Sequence, residues 1–143
     1  MLLFFVGTFR RELIAKFKRL NTFTAEDYDT LMNVLKVFGK IATTPNILTE
    51  VSNLSGELQD QTRFAYYESF TRNLILLNER YIRSAEAAQT PIFRAVGLTD
   101  AGVGLLAQEG LLVLTEDLTL YRHMLTSGID ALNFNHLRLW ATP

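Results

Sequence analysis

Two neighbouring segments decide the predicted fold: Gly97-Leu98-Thr99-Asp100-Ala101 and Gly110-Leu111-Leu112-Val113-Leu114-Thr115-Glu116-Asp117. Thr99 stands where a helix N-cap is expected, and Asp100 follows in the first turn, where a carboxylate suits the positive end of the helix dipole. The uninterrupted apolar run of the second segment is typical of a strand that is covered on both faces in a parallel sheet. Asp117 is therefore predicted to emerge at the carboxyl end of a parallel strand, where open α/β sheets bind ligands.

The composition is that of one globular domain. The chain has 143 residues, of which 48% are hydrophobic, and we expect residues 1–143 to form a single domain. The formal net charge of −1 provides no global positive field that would attract nucleic acid. The absence of cysteine excludes disulfides, thiolate metal sites and a cysteine nucleophile, and it favours a reducing compartment.

The amino terminus begins with six apolar residues, Met1–Val6. No basic residue precedes this run, it ends at Gly7, and no small-residue cleavage site follows, so a signal peptide is not predicted. The run is either a strand or the first turns of a helix. No stretch reaches the roughly 18 apolar residues that span a bilayer. We expect a cytoplasmic protein without a membrane partner.

Helical and strand patterns alternate along most of the chain. Thr24 and Asp27 have the spacing of a capping box, and Thr44-Pro45 indicates another helix start. The spacing of apolar residues predicts helices over 8–20, 24–38, 44–54, 57–78 and 118–127, a helical turn at 84–88, strands at 40–43, 79–83, 111–114 and 129–134, and a tail at 135–140. This order predicts an α/β fold, a three-layer α/β/α sandwich around a short parallel sheet.

Three acidic residues stand out by position. Glu50 lies on the helix after the first clear strand, Asp100 at a helix start and Asp117 after a strand. Mg²⁺ and Mn²⁺ prefer carboxylate oxygens and retain waters and sites for substrate phosphate. Carboxylates that converge at one sheet edge repel each other unless a cation lies between them. The pattern is a weak indication of a metal site, because the chain has 15 acidic residues and most acidic residues decorate solvated surfaces.

The densest positive cluster lies near the amino terminus, on the polar face of the helix predicted over 8–20. One interpretation is a solvated helix face, and the other is a surface that contacts phosphates or a protein partner. Its members are Arg10, Arg11, Lys16, Lys18 and Arg19. The two histidines, His123 and His136, lack metal-ligand spacing and are interpreted as surface or helix-face residues.

Four segments together resemble the PIN domain, a family of metal-dependent ribonucleases that includes many toxin halves of bacterial toxin–antitoxin pairs. They are Thr44-Pro45-Asn46-Ile47-Leu48-Thr49-Glu50-Val51-Ser52-Asn53-Leu54, Gly97-Leu98-Thr99-Asp100-Ala101, Leu114-Thr115-Glu116-Asp117 and Asp130-Ala131-Leu132-Asn133-Phe134. The resemblance spans nearly the whole chain, and its three acidic motifs are moderately specific in order and spacing.

The resemblance implies an endoribonuclease that hydrolyses RNA phosphodiester bonds with Mg²⁺ or Mn²⁺. The family's second, third and fourth acidic positions map onto Glu50, Asp100 and Asp117, with Glu116 as a rival for the last. Asn53 is expected to steady a water or a carboxylate, and the positive cluster to hold the RNA backbone or an acidic partner. An antitoxin protein and a homodimer are the other partners that the resemblance implies.

The chain departs from the family's pattern at its start. The family opens with a strand that ends in an aspartate, whereas here no aspartate precedes Asp27 and Met1–Val6 resembles the segment that follows that strand. We therefore expect the first strand and its aspartate to be missing. This departure supports an alternative function, a catalytically impaired PIN-like module that binds RNA or protein.

Overall fold

The computed structural model describes residues 1–141, which form two compact units. The first unit is Met1–Glu79, and the second begins at Arg80. Each unit combines helices with one parallel pair of strands, so the expectation of a mixed α/β protein is confirmed. The expected single sheet is not observed in the part of the chain that is described, because strands pair only within each unit.

Helices dominate the first unit. The amino-terminal apolar run forms a helix rather than a strand, and two short 3₁₀ turns, Arg11–Leu13 and Lys18–Leu20, follow it. The helix formed by the apolar run is α1. In chain order, the helices and strands of this unit are α1 (Leu2–Phe9), α2 (Ala25–Leu35), β1 (Ala42–Thr43), α3 (Pro45–Ser55), α4 (Asp60–Leu74) and β2 (Asn78–Glu79).

Side chains from α1 and α4 build the core of the first unit. Leu3 to Val6 are buried, and the rings of Phe5 and Phe70 lie 4.4 Å apart between centroids. Gly7 allows the Tyr28 ring of α2 to approach α1 closely, since a Cβ at this position would lie 2.6 Å from Cε2 of Tyr28.

The helix predicted over 8–20 is wrong. Arg10 has an extended backbone that ends α1, and 3₁₀ turns occupy most of the following segment. The buried residues Ile14, Phe17 and Leu20 recur every three residues, which is the period of a 3₁₀ helix. The apolar spacing that was interpreted as an α-helix is satisfied by these tighter turns.

Local capping chemistry fixes two helix starts as predicted. Thr24 and Asp27 form both hydrogen bonds of a capping box at α2. Thr44 accepts the Ile47 N–H at 3.4 Å, and Pro45 occupies the first position of α3. The parallel pairing of β1 with β2 joins Ala42 to Asn78 and Thr43 to Glu79. The strand β2 therefore begins one residue before the strand predicted at 79–83 and overlaps it only at Glu79.

The second unit is a βαβ arrangement with added helices. Its elements are α5 (Ser84–Ala87), α6 (Phe93–Ala107), β3 (Val113–Thr115), α7 (Leu118–Thr126), β4 (Ala131–Asn133) and α8 (Phe134–Ala141). The strands β3 and β4 are parallel, and α7 connects them. The core consists of Ala107, Val113, Leu120 and Met124.

Two predictions for this unit are wrong: the burial of the whole apolar run before Thr115, and an irregular tail after the last strand. Leu111 and Leu112 precede β3 and are each 37% exposed, so the apolar run is not buried throughout. The segment expected to be a tail after β4 is α8, because Phe134 packs inward at 5% exposure and begins a helix. Within residues 1–141, none of the helices combines the length and the apolar character needed to cross a bilayer.

Candidate functional site

Asp117 stands at the turn between β3 and α7. Its backbone N–H donates to Thr115 Oγ1 at 3.0 Å. Its Oδ1 accepts the N–H groups of Thr119 and Leu120 at 2.6 and 2.9 Å, so the carboxylate caps α7. Asp117 is exposed, and its Oδ2 accepts no hydrogen bond from residues 1–141. The side chain therefore has a structural role and one oxygen that remains available to a ligand.

The end of the neighbouring strand β4, like that of β3, has a side chain that accepts the backbone N–H two residues further on. Asn133, the last residue of β4, lies opposite Thr115 in the parallel register. Its Oδ1 accepts the Asn135 N–H at 2.9 Å, and the Asn135 amide donates to the Glu116 carbonyl at 3.3 Å. These contacts tie the two strand ends into one carboxyl edge, at which Asp117 is exposed.

Asp100 belongs to the same unit and lies in a helix that is interrupted at Gly97. Gly97 has φ 80° and ψ −177°, and helical geometry resumes at Leu98. Asp100 is therefore in the first turn of the resumed segment, as predicted, and is half-buried. The boundary residue is Gly97 rather than Thr99, which is already helical. A glycine suits this position because positive φ costs it nothing.

Glu50 lies in the first unit. It is an exposed residue of α3, and Asn53, also exposed, is three residues further along the same helix. Residues at this spacing share a helix face. The structure thus brings Asp100 and Asp117 into one unit and Glu50 with Asn53 into the other.

Within each unit, the described residues contain no group of three or more histidine, aspartate or glutamate side chains that could hold a metal ion. A three-carboxylate centre is therefore not preformed in either unit. Mg²⁺ is commonly held by only one or two carboxylates together with waters and substrate phosphates. The pair in the second unit, with the Oδ2 of Asp117, has the donor chemistry for that type of site.

The positive cluster does not form one helix face, because the segment that carries it is not one helix. The Arg10 guanidinium lies 4.9 Å from the centre of the Phe9 ring. Arg11 forms an ion pair with Asp29 and donates to the Ala25 carbonyl at 3.3 Å. Two of the five cations are thus engaged locally.

The remaining cations of the cluster are exposed and form no ion pair with residues 1–141. They are Lys16, Lys18 and Arg19, which lie in or beside the second 3₁₀ turn. These three side chains are the better candidates for contact with a phosphate backbone.

The sequence analysis missed an aromatic cavity in the second unit. His136 is exposed as expected, and its ring meets that of Tyr121 edge-on with 5.5 Å between centroids. Both line a cavity of about 250 Å³ to which α8 contributes Trp140. The signal in the sequence was the spacing of Phe134 and Leu137, which is compatible with a helix where a tail was expected.

Comparison with known proteins adds no assignment: no protein-family model, curated protein or solved structure matches the chain.

Proposed function

We propose that the chain is a PIN-like α/β/α domain that acts as a metal-dependent endoribonuclease. The observation that carries the proposal is the placement of Asp100 and Asp117 in the unit that contains the β3–α7–β4 arrangement. Asp100 lies at a helix start, and Asp117 lies two residues after a parallel strand. A helix start and a strand end are the positions at which the fold class places carboxylates around a ligand.

The order of elements supports the same proposal. A helical connection joins two parallel strands in each unit, as expected where a parallel sheet carries helices on its faces.

Asp100 and Asp117 would hold Mg²⁺ or Mn²⁺. The resemblance assigns a further ligand role to Glu50 and a positioning role to Asn53. When bound, such an ion supplies two effects: it lowers the pKa of a water and offsets charge at the phosphoryl group. Asp117 keeps Oδ2 for this purpose while Oδ1 accepts the N–H groups that begin α7. The helix N-terminus also stabilises the negative charge of this carboxylate.

The exposed cations of the first unit would hold RNA through its phosphates. Lys16, Lys18 and Arg19 have no competing carboxylate among the described residues. Arg10 and Arg11 would contribute less, because a ring and a carboxylate already engage them. The attraction is local, since the net charge of the chain is −1.

A cleavage assay with the matched variants Asp100→Asn and Asp130→Asn tests the function. The parent is expected to cut single-stranded RNA with Mg²⁺ or Mn²⁺ and to stop when a chelator is added. Asp100→Asn should reduce cleavage at least about 100-fold, the order of loss seen when a group that stabilises transition-state charge is removed. Asp130→Asn, which changes an exposed acid outside the proposed site, should cut as the parent does. Equal activity of Asp100→Asn and the parent would reject the site.

The second candidate function is a non-catalytic PIN-like module that binds RNA or a protein. It is favoured by the absence of a three-carboxylate group within each described unit. RNA binding without cleavage under any divalent cation would support the module and reject the nuclease. A toxin role with an antitoxin and a homodimer are parts of the proposal that follow from the resemblance, and the cytoplasmic location is a further part that follows from the sequence pattern.

A further inference from the structure

The aromatic cavity of the second unit lies beside the carboxyl edge of the β3–β4 pair. Its volume is about 250 Å³, just below the roughly 300 Å³ at which pockets for drug-sized ligands begin. This size suits one planar ring system. The wall residues on which the argument depends are Tyr121, Leu132, Asn133, His136, Leu137 and Trp140, and Leu139 completes the lining.

Three of the walls are aromatic rings with different degrees of exposure. Trp140 is 84% exposed, whereas Tyr121 is half-buried and meets His136 edge-on. A tryptophan ring that is left this open offers a face on which a planar ligand can stack. The apolar residues Leu132 and Leu137 are half-buried and form the rest of an apolar surface.

Asn133 supplies a polar group to this apolar cavity. The residue is only 4% exposed, and its Oδ1 is occupied by the Asn135 N–H. Its Nδ2 donates to no atom of residues 1–141. Nδ2 is not among the fully buried side-chain atoms that lack a partner, so it is reachable by solvent, and a ligand that brings an acceptor can take the place of water there. The cavity thus combines stacking surfaces with one hydrogen-bond donor.

We propose that this cavity binds one unstacked base of a single-stranded RNA. Every nucleobase has a π face for Trp140 and at least one carbonyl or ring-nitrogen acceptor for the Asn133 amide. The inference rests on the proposed function, which it deepens by assigning a base-binding position to the same substrate.

The position of the cavity links it to the proposed site. Tyr121 follows Asp117 by four residues, one turn along α7, and its N–H donates to the Asp117 carbonyl at 2.9 Å. Asn133 lies opposite Thr115, which binds the Asp117 N–H. A base held here leaves its own phosphates near the carboxyl edge at which Asp117 is exposed.

Trp140 is the only tryptophan of the chain, so its fluorescence reports directly on this cavity. The first experiment titrates the parent with a hexauridylate and with a hexamer of the same backbone that lacks bases, both in a chelator so that cleavage does not occur. The hexauridylate should quench Trp140 in a saturable manner, and the abasic hexamer should leave the emission unchanged. Equal quenching by both oligonucleotides would overturn the proposal, since the contact would then involve the backbone alone.

The second experiment follows a dye-labelled hexauridylate by anisotropy with the variants Trp140→Leu and Tyr121→Leu. Loss of base stacking corresponds to a rise in Kd of about fivefold or more. Tyr81→Leu is the matched control, because Tyr81 is an aromatic residue of the same unit that is 78% exposed and does not line the cavity. An unchanged Kd in both cavity variants would overturn the proposal. Trp140→Leu alters an exposed side chain, so it keeps the test decisive if Tyr121→Leu fails to fold.

The outcomes separate this proposal from the proposed function. Cleavage of RNA without base-dependent quenching would overturn the base-binding cavity and leave the nuclease. Base-dependent quenching without cleavage would support the cavity and reject the nuclease. A Trp140 spectrum that changes with protein concentration but not with RNA would identify a second copy of the chain as the occupant and overturn the proposal.

Discussion

Thr115 and Asn133 lie opposite each other across β3 and β4, and each accepts the backbone N–H of the residue two positions further on. Thr115 Oγ1 binds the Asp117 N–H at 3.0 Å, and Asn133 Oδ1 binds the Asn135 N–H at 2.9 Å. Short polar side chains that bind the backbone two residues later turn the chain sharply. The same device therefore ends both strands at one edge and directs the chain into α7 and α8.

The Asp117 side chain is expected to carry two separable roles. Asp117→Ala removes the cap of α7 and should lower the free energy of unfolding by about 1 kcal/mol. Asp117→Asn keeps an acceptor at the cap, so its stability should stay close to the parent value. Both variants remove the proposed metal ligand and should lose RNA cleavage. Urea unfolding and the cleavage assay check the two roles independently, and full cleavage by Asp117→Asn would leave Asp117 with the capping role alone.

The capping box of α2 offers a test in the first unit. Thr24 Oγ1 accepts the Asp27 N–H at 3.2 Å, and the Asp27 carboxylate accepts the Thr24 N–H at 2.8 Å. Thr24→Ala should therefore lower the free energy of unfolding by about 1 kcal/mol, measured by urea denaturation. Thr30→Ala, within the same helix, is the control and should be neutral or slightly stabilising because alanine has the higher helix propensity. A Thr24→Ala variant as stable as Thr30→Ala would contradict a contribution of the cap.

The features that the sequence predicted correctly depend on residues close together along the chain. Thr24 and Thr44 each cap a helix by accepting a backbone N–H three residues away. The glycine at 97 likewise places Asp100 in a first turn through its own positive φ. Such contacts are decided within one turn of the chain, so residue type and spacing suffice to predict them.

The features that could not be predicted depend on partners distant in the sequence. Apolar residues that recur every three positions are compatible with either an α-helix or 3₁₀ turns. The extended backbone at Arg10 ends the α-helix, and 3₁₀ turns follow it. The aromatic cavity requires α8 to fold back beside Tyr121, a contact that periodicity alone does not indicate.

Gly7 is expected to be intolerant of substitution although it lies in the middle of α1. A Cβ at this position would lie 2.6 Å from Cε2 and 2.7 Å from Cγ of Tyr28, a rigid ring that cannot yield as a flexible chain end does. Overpacking of this kind costs about 1–3 kcal/mol, which outweighs a helix-propensity gain of about 1 kcal/mol. Gly7→Ala should therefore lower the midpoint of urea unfolding.

Two controls isolate the contact between Gly7 and Tyr28. Gly39→Ala places a methyl group where no atom lies within 4 Å and should leave the midpoint unchanged. In a Tyr28→Ala background, the penalty of Gly7→Ala should disappear, because the two substitutions are coupled through the ring. A penalty that persists in that background would show that the ring is not its cause.

At Tyr66, in contrast to Gly7, we expect a substitution to preserve or raise the stability of the protein. The side chain is fully buried, and its hydroxyl forms no hydrogen bond with the described residues. Burial raises the pKa of Tyr66 to about 12, and the nearby Ser55 hydroxyl offsets part of that shift. Because an unpartnered buried hydroxyl costs about 1–3 kcal/mol, Tyr66→Phe should be at least as stable as the parent at neutral pH.

The pH dependence of stability distinguishes the hydroxyl from simple packing. Above the ordinary tyrosine pKa of 10.0, the unfolded chain loses the Tyr66 proton while the folded protein keeps it until about pH 12. Unfolding then releases a proton, so the parent should lose stability as the pH rises through this window. Tyr66→Phe should lose less, whereas Tyr81→Phe, at a residue that is 78% exposed, should follow the parent. Urea unfolding at neutral and alkaline pH measures the difference, and parallel pH profiles for the parent and Tyr66→Phe would show that the Tyr66 hydroxyl is solvated in the folded protein.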